Sequence, residues 1–247
     1  MTTPRPPRPD GFRERGDRVT RLETFVDAAF AFAVSMLVIS VGTVPDSIAE
    51  LKTALKNIPA FAASFALIML FWRGHDDWSR RYGLDDSYSS NLSILLVFAV
   101  LVFVYPLRIL FGGFFAWITG GWLPTPVAIQ SIADLRWFFG SFAVAFGSMG
   151  MLMFLLTWHA ERSANALGLD GAERLATRIS LLRWLLIPVF ALLSLALTAW
   201  VRPGTPNWMA GAPGMVFFML NIVQVLLKFW GKRMQRNNPA RWGSPRA

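Results

Sequence analysis

Cysteine is absent from the 247 residues, which excludes a disulfide framework, a thiolate nucleophile and any Cys-based metal or cluster site. Histidine occurs only as His75 and His159. Two histidines without a haem-attachment motif read as residues at span ends, not as axial ligands. Charge is scarce at 16%, and acidic residues number 15 against 24 Lys and Arg. The chain also lacks a Gly-rich phosphate loop, a Ser-His-Asp order and metalloprotease spacing, so neither an enzyme nor a cofactor is predicted.

What is abundant is apolar sequence, 54% of the residues, gathered into long blocks. Crossing roughly 30 Å of hydrocarbon takes about 20 mostly apolar residues as a helix. Six blocks meet or approach that length: Thr24 to Val44, Ile58 to Trp78, Asn91 to Ile118, Leu135 to Trp158, Leu181 to Val201 and Ala212 to Trp230. They are too long for barrel strands and lack alternation. The predicted fold class is therefore all-α, a polytopic membrane protein of about six helices. Residues 1–18 form a Pro/Arg-rich arm predicted to be flexible, 19–231 the helical domain, and 232–247 a basic tail. The first block is long for a signal peptide's apolar region, so a retained first helix is expected.

The net charge of +9 would suggest nucleic acid as a partner if the basic residues formed a patch. Instead they alternate with the spans. The arm and first-helix start (Arg5, Arg8, Arg13, Arg15, Arg18, Arg21), the second loop (Arg73, Arg80, Arg81), the fourth loop (Arg162, Arg174, Arg178) and the tail hold most of them. The other side has only Lys52, Lys56 and Arg202. The positive-inside rule then places both termini in the cytoplasm, with anionic lipid heads, not nucleic acid, as the basic residues' partners.

Within the spans, Pro106 and Pro188 predict kinks, and Gly112, Gly113, Gly140, Gly147 and Gly150 predict close helix packing. The anomaly of the first span is Asp27, a carboxylate at or inside the membrane boundary. Such acids face the protein interior and are paired. Arg21, six positions back, lies on another face, so His75, Asn91 and Arg108 are the expected polar partners. A simpler role, helping to cap and orient the helix start, is also open to Asp27. The same helix carries a seam of large apolar residues, Phe25, Phe32, Met36 and Ile39, with Ser35 beside it.

Arg21-x-x-x-Phe25-Val26-Asp27 before an apolar helix resembles the first-helix motif of the transmembrane protein 175 family, Arg-x-x-x-Phe-Ser-Asp. Further features fall in the same order: Pro59 opening the second span, Phe71-Trp72-x-x-His75 closing it, and Asn91 starting a third span that runs to Pro106. The resemblance covers Arg21 to about Leu110 and implies bacterial chains of six helices in the cell membrane, assembled as tetramers. It further implies a potassium-permeable leak channel for monovalent cations, the first helix lining the pore. By position, Phe32, Met36 and Ile39 would form the apolar constriction and Ser35 a hydroxyl layer. Arg21, Phe25, Asp27, His75 and Asn91 would form the polar network holding that helix.

Two residues depart from the family pattern. Val26 replaces the motif Ser, and Phe32 stands where Ile or Leu is usual, so four Phe rings would narrow the path. Two other functions stay open at this point: a proton-coupled or secondary transporter using Asp27 and His75, and a non-conducting membrane scaffold.

Overall fold

A computed structural model of the chain describes residues 12–16, 19–40, 44–125, 127, 129–202, 205 and 207–237. These residues contain helices and no strands: α1 (Arg21–Ile39), α2 (Ile48–Lys56), α3 (Ile58–Tyr82), α4 (Ser87–Ile118), α5 (Ile132–Arg162), α6 (Gly171–Trp200), the single turn α7 (Asn207–Ala210) and α8 (Ala212–Asn237). Five of them, α1 and α3 to α6, are long and apolar enough to cross a membrane, and a shorter apolar stretch, Ala212–Leu227, lies in α8. The basic tail from 238 onward, with Trp242, and residues 1–11 of the arm fall outside the described residues.

Capping chemistry sets helix ends that hydropathy does not register. Thr20 and Glu23 form a reciprocal capping box at the start of α1, three residues before the predicted span. Asp170 and Glu173 do the same for α6, ten residues before its predicted start. Asp86 caps α4 and Ser131 with Asp134 caps α5. Each of these turns is too polar to count toward an apolar block, yet each satisfies backbone N–H groups and extends its helix past the apolar stretch. The predicted fourth loop, between the blocks ending at Trp158 and starting at Leu181, therefore shrinks to residues 163–170. The first loop likewise contains α2, capped by Ser47, whose Ile48, Leu51 and Leu55 stay exposed.

Helices α1, α3 and α4 pack against one another, α5 bridges them to α6, and α6 carries α8. Where α5 meets α6, the predicted small-residue packing is present. A Cβ on Gly150 would lie 2.3 Å from Cγ2 of Ile187, and one on Gly147 would lie 2.8 Å from Cβ of Ala191. Ile187 is 1% exposed and β-branched, so it has little freedom to retreat. Gly150→Ala should therefore cost about 1–3 kcal/mol by overpacking. A lowered thermal midpoint in detergent, partly restored by Ile187→Ala, would register it. Both α4 and α6 continue through their internal prolines, Pro106 and Pro188.

The two ends of the bundle differ in chemistry. At one end, the arm meets α3 and α6, His159 of α5 meets Asp86 before α4 at 2.5 Å, and Arg178 meets Glu161 at 2.8 Å. At the other, Arg136 donates to the carbonyls of Ala199 and Val201, satisfying the C-terminus of α6. Trp117, Trp122, Trp137 and Trp200 are all more than half exposed at this second end, where an aromatic belt belongs. Lys56 of α2 lies 5.0 Å over the Trp122 ring.

Candidate functional site: the first helix and its anchor

Helix α1 has two faces of opposite fate. Val26, Phe30, Ala33 and Leu37, spaced four, three and four apart, are at most 1% exposed and join the core formed with α3 and α4. Phe25, Ala28, Phe32, Ser35 and Ile39, alternately three and four apart, are exposed, with Phe32 at 56% and Ile39 at 69%. A spacing of three and four keeps these side chains on one face of the helix along its length. Met36 is shifted from this line. It is half-buried and packs against the core, where the sequence grouped it with Phe25, Phe32 and Ile39. The Ser35 hydroxyl donates to the Ala31 carbonyl one turn back, at 3.1 Å.

The base of α1 is held against the end of α3. The Trp72 indole N–H donates to Asp27 Oδ1 at 2.8 Å, and the Ser79 hydroxyl donates to Glu23. His75, 3% exposed, shares a 2.9 Å hydrogen bond with the Ser93 hydroxyl of α4, itself fully buried. Asp76 and Arg80 pair at 2.7 Å one turn apart. A cavity of about 200 Å³ opens between these helix ends, lined by Gly16, Val19, Glu23, Asp27, His75, Asp76, Ser79 and Arg80.

Several expectations from the sequence change here. The partner of Asp27 is Trp72, in place of His75, Asn91 or Arg108. Asn91 is exposed and Ser93 takes its place beside His75. Asn91 and Ser93, two positions apart on a helix, point about 200° from each other, so only one of them can face α3, and Ser93 shares its buried face with Leu96, Val97 and Val100. Arg108 lies fifteen residues beyond Ser93 on α4, roughly 20 Å along the axis. Asp27 is not a cap, because Thr20 and Glu23 fill that role. Arg21 is exposed and forms no ion pair among the described residues. Phe25 sits on the exposed line, away from the anchor. His159 pairs with Asp86, so the two histidines serve separate contacts.

Four contributors escaped sequence reasoning. Trp72 was visible only as part of a motif, and Ser93 is one of many serines. The Thr20-x-x-Glu23 pattern was legible as a capping box. The last is the arm itself. Residues Phe12 to Gly16, predicted to be flexible, are docked: Phe12 is 2% exposed, and the backbone N–H groups of Arg15 and Gly16 donate to the Arg80 carbonyl at 3.0 and 3.1 Å. The Phe12 side chain and the Arg15–Glu173 pair overcome the solvated preference of a Pro/Arg-rich segment.

The chain is similar in sequence and in fold to known proteins. Residues 21–106 match the family described as endosomal/lysosomal potassium channel TMEM175. A relative from Marivirga tractuosa named "Potassium channel" is 32% identical over 197 residues, covering 76% of this chain and 77% of its own. The crystal structure of a variant of the potassium channel MtTMEM175, bound to a nanobody fusion, superposes with a TM-score of 0.75 at 28% identity, over 90% of this chain and 97% of that one. The fold also matches a lysosomal potassium-selective channel TMEM175 homolog from Chamaesiphon minutus, with a TM-score of 0.52 at 19% identity over 85% and 96% of the two chains. The match to the first three spans, and the identity sustained over three quarters of the Marivirga chain, lead to one assignment: the protein belongs to the TMEM175 family.

Proposed function

We propose that this chain forms a potassium-permeable leak channel in the bacterial cell membrane, four copies arranged around an axis lined by α1. The observation that carries this reading is the line Phe25, Ala28, Phe32, Ser35, Ile39, exposed along the whole of α1 while its other face is locked to α3 and α4. Copies meeting along that line leave a path whose narrowest part is built from Phe32 and Ile39, with Met36 at its flank and the Ser35 hydroxyls between. Hydrophobic constrictions of this kind gate by dewetting, with no need of a carbonyl filter. Being named potassium channels, the Marivirga relative and MtTMEM175 support potassium as the ion. In this reading α8 supplies the sixth span and both termini are cytoplasmic, a topology that the placement of Lys and Arg supports. The Trp72–Asp27 and Ser79–Glu23 bonds tie the inner end of α1 to the end of α3.

Purified protein in liposomes holding a potassium gradient should pass potassium down that gradient with no dependence on a pH gradient. Uptake driven by a pH gradient and abolished by Asp27→Asn would instead establish the proton-coupled transporter. Absence of flux from the native chain and from a widened variant alike would leave a scaffold.

A further inference from the structure

The arm ahead of α1 makes more contacts than a tether needs. Phe12 is buried edge-on against Tyr82 of α3, ring centroids 5.6 Å apart, with the guanidinium groups of Arg15 and Arg81 at 5.6 and 5.2 Å from its ring centre. Glu173 of α6 is 1% exposed and accepts from the Arg13 backbone N–H at 2.9 Å and from Arg15 Nη2 at 2.7 Å. Arg15 Nε also donates to the Leu167 carbonyl at 2.9 Å, in the connection between α5 and α6. On the other side of the arm, a Cβ on Gly16 would lie 2.9 Å from the Ser79 carbonyl oxygen, and Gly83, at φ 58, ends α3 where a Cβ would lie 2.8 Å from the Arg15 carbonyl oxygen. Both glycines are thus required by close approach of two backbones. Four residues later Thr20 caps α1.

We propose that residues 12–16 are a clamp that sets the position of the inner end of α1, and that Glu173 is the positioning residue that closes it. The arm joins α6 and the end of α3 to the first turn of the helix whose exposed line we assign to the pore, so undocking it leaves that turn held by the Ser79–Glu23 and Trp72–Asp27 bonds alone and widens its range of tilt. The charge-assisted bonds converging on one buried carboxylate are the largest polar contribution to docking. The clamp rests on the channel reading for its consequence, though not for its existence.

Because the native chain has no cysteine, single labels are specific. A nitroxide at Val19→Cys, a position 77% exposed, reports arm mobility, and one at Thr24→Cys reports the distance between copies at the base of α1. Glu173→Gln keeps an acceptor for the α6 capping box and removes the charge. It should lower the docked-to-undocked ratio about ten- to a hundredfold. The Val19 label then becomes mobile, the Thr24 distances broaden, and potassium flux changes several-fold. Glu173→Asp, which retains the charge, should return all three toward native values. Phe12→Ala opens the clamp from its other end without touching α6, and should reproduce the Glu173→Gln result even if that variant weakens the helix. An immobile Val19 label in both variants would overturn the clamp. So would a mobile label with unchanged Thr24 distances, which would make the arm a structural tie only. Native protein that passes no ion yet shows these label changes would retire the channel reading and leave the clamp standing.

Discussion

Phe32→Ala should raise potassium flux through the reconstituted protein by about tenfold or more, equivalent to removing ~1.4 kcal/mol or more from the permeation barrier. Phe32 projects from the exposed line of α1, and nothing in its own protomer covers more than about half of it. In the proposed tetramer, four such rings would form an apolar collar that excludes both water and a hydrated cation. Truncation to a methyl group widens the collar and lowers its cost of wetting together. The core residues Phe30 and Leu37 of the same helix, at 1% and 0% exposure, provide the contrast. Truncating either should lower folded yield by cavity formation without a rise in flux through folded protein. Potassium efflux from liposomes, normalised to incorporated protein, separates the two outcomes.

His75→Ala should cost about 2–4 kcal/mol of stability, the largest loss among the polar substitutions in the anchor. The imidazole is 3% exposed, lies 5.8 Å from the Trp78 ring and has the fully buried Ser93 hydroxyl as its hydrogen-bond partner. Alanine leaves both a cavity and a buried hydroxyl deprived of that partner. The second part can be isolated. In His75→Leu with Ser93→Ala, both polar partners are gone and most of the volume is kept, so the double variant should be more stable than His75→Leu alone. A thermal or SDS-titration cycle measures this, and purely additive effects would mean that the hydrogen bond does not couple α3 to α4.

Most of the helices were legible in the sequence because runs of about 20 apolar residues have few folded alternatives. Hydropathy identified the apolar middle of each span and stopped there. Asp170 to Ser180 looked like loop because it contains Glu173, Arg174 and Arg178, yet a capping box starts a helix in water as readily as in lipid. Asp27 was conspicuous by its charge. Its partner was not, because an indole N–H in a chain with 11 Trp carries no distinguishing local pattern. Asn91 resembled a family position, and only the facing of α4 replaced it with Ser93. The docked arm was the least legible element. Its composition favours solvated backbone, and Phe12 is buried because Tyr82 and Arg81, distant in sequence, meet around it while Glu173 holds the backbone of the next residue, Arg13.

Cysteine cross-linking along α1 bears most directly on the central proposal, that the exposed line of this helix surrounds an axis shared by copies of the chain. With no native cysteine to confuse the pattern, single substitutions at Ala28, Phe32 and Ser35, each exposed on that line, should form disulfides between protomers under mild oxidation in native membranes. Ile94 and Phe98, exposed on α4 but off the proposed axis, should not. Cross-linking at Ile94 and Phe98 with none at Ala28, Phe32 or Ser35 would contradict the account, because α1 would then face lipid and could not line a pore.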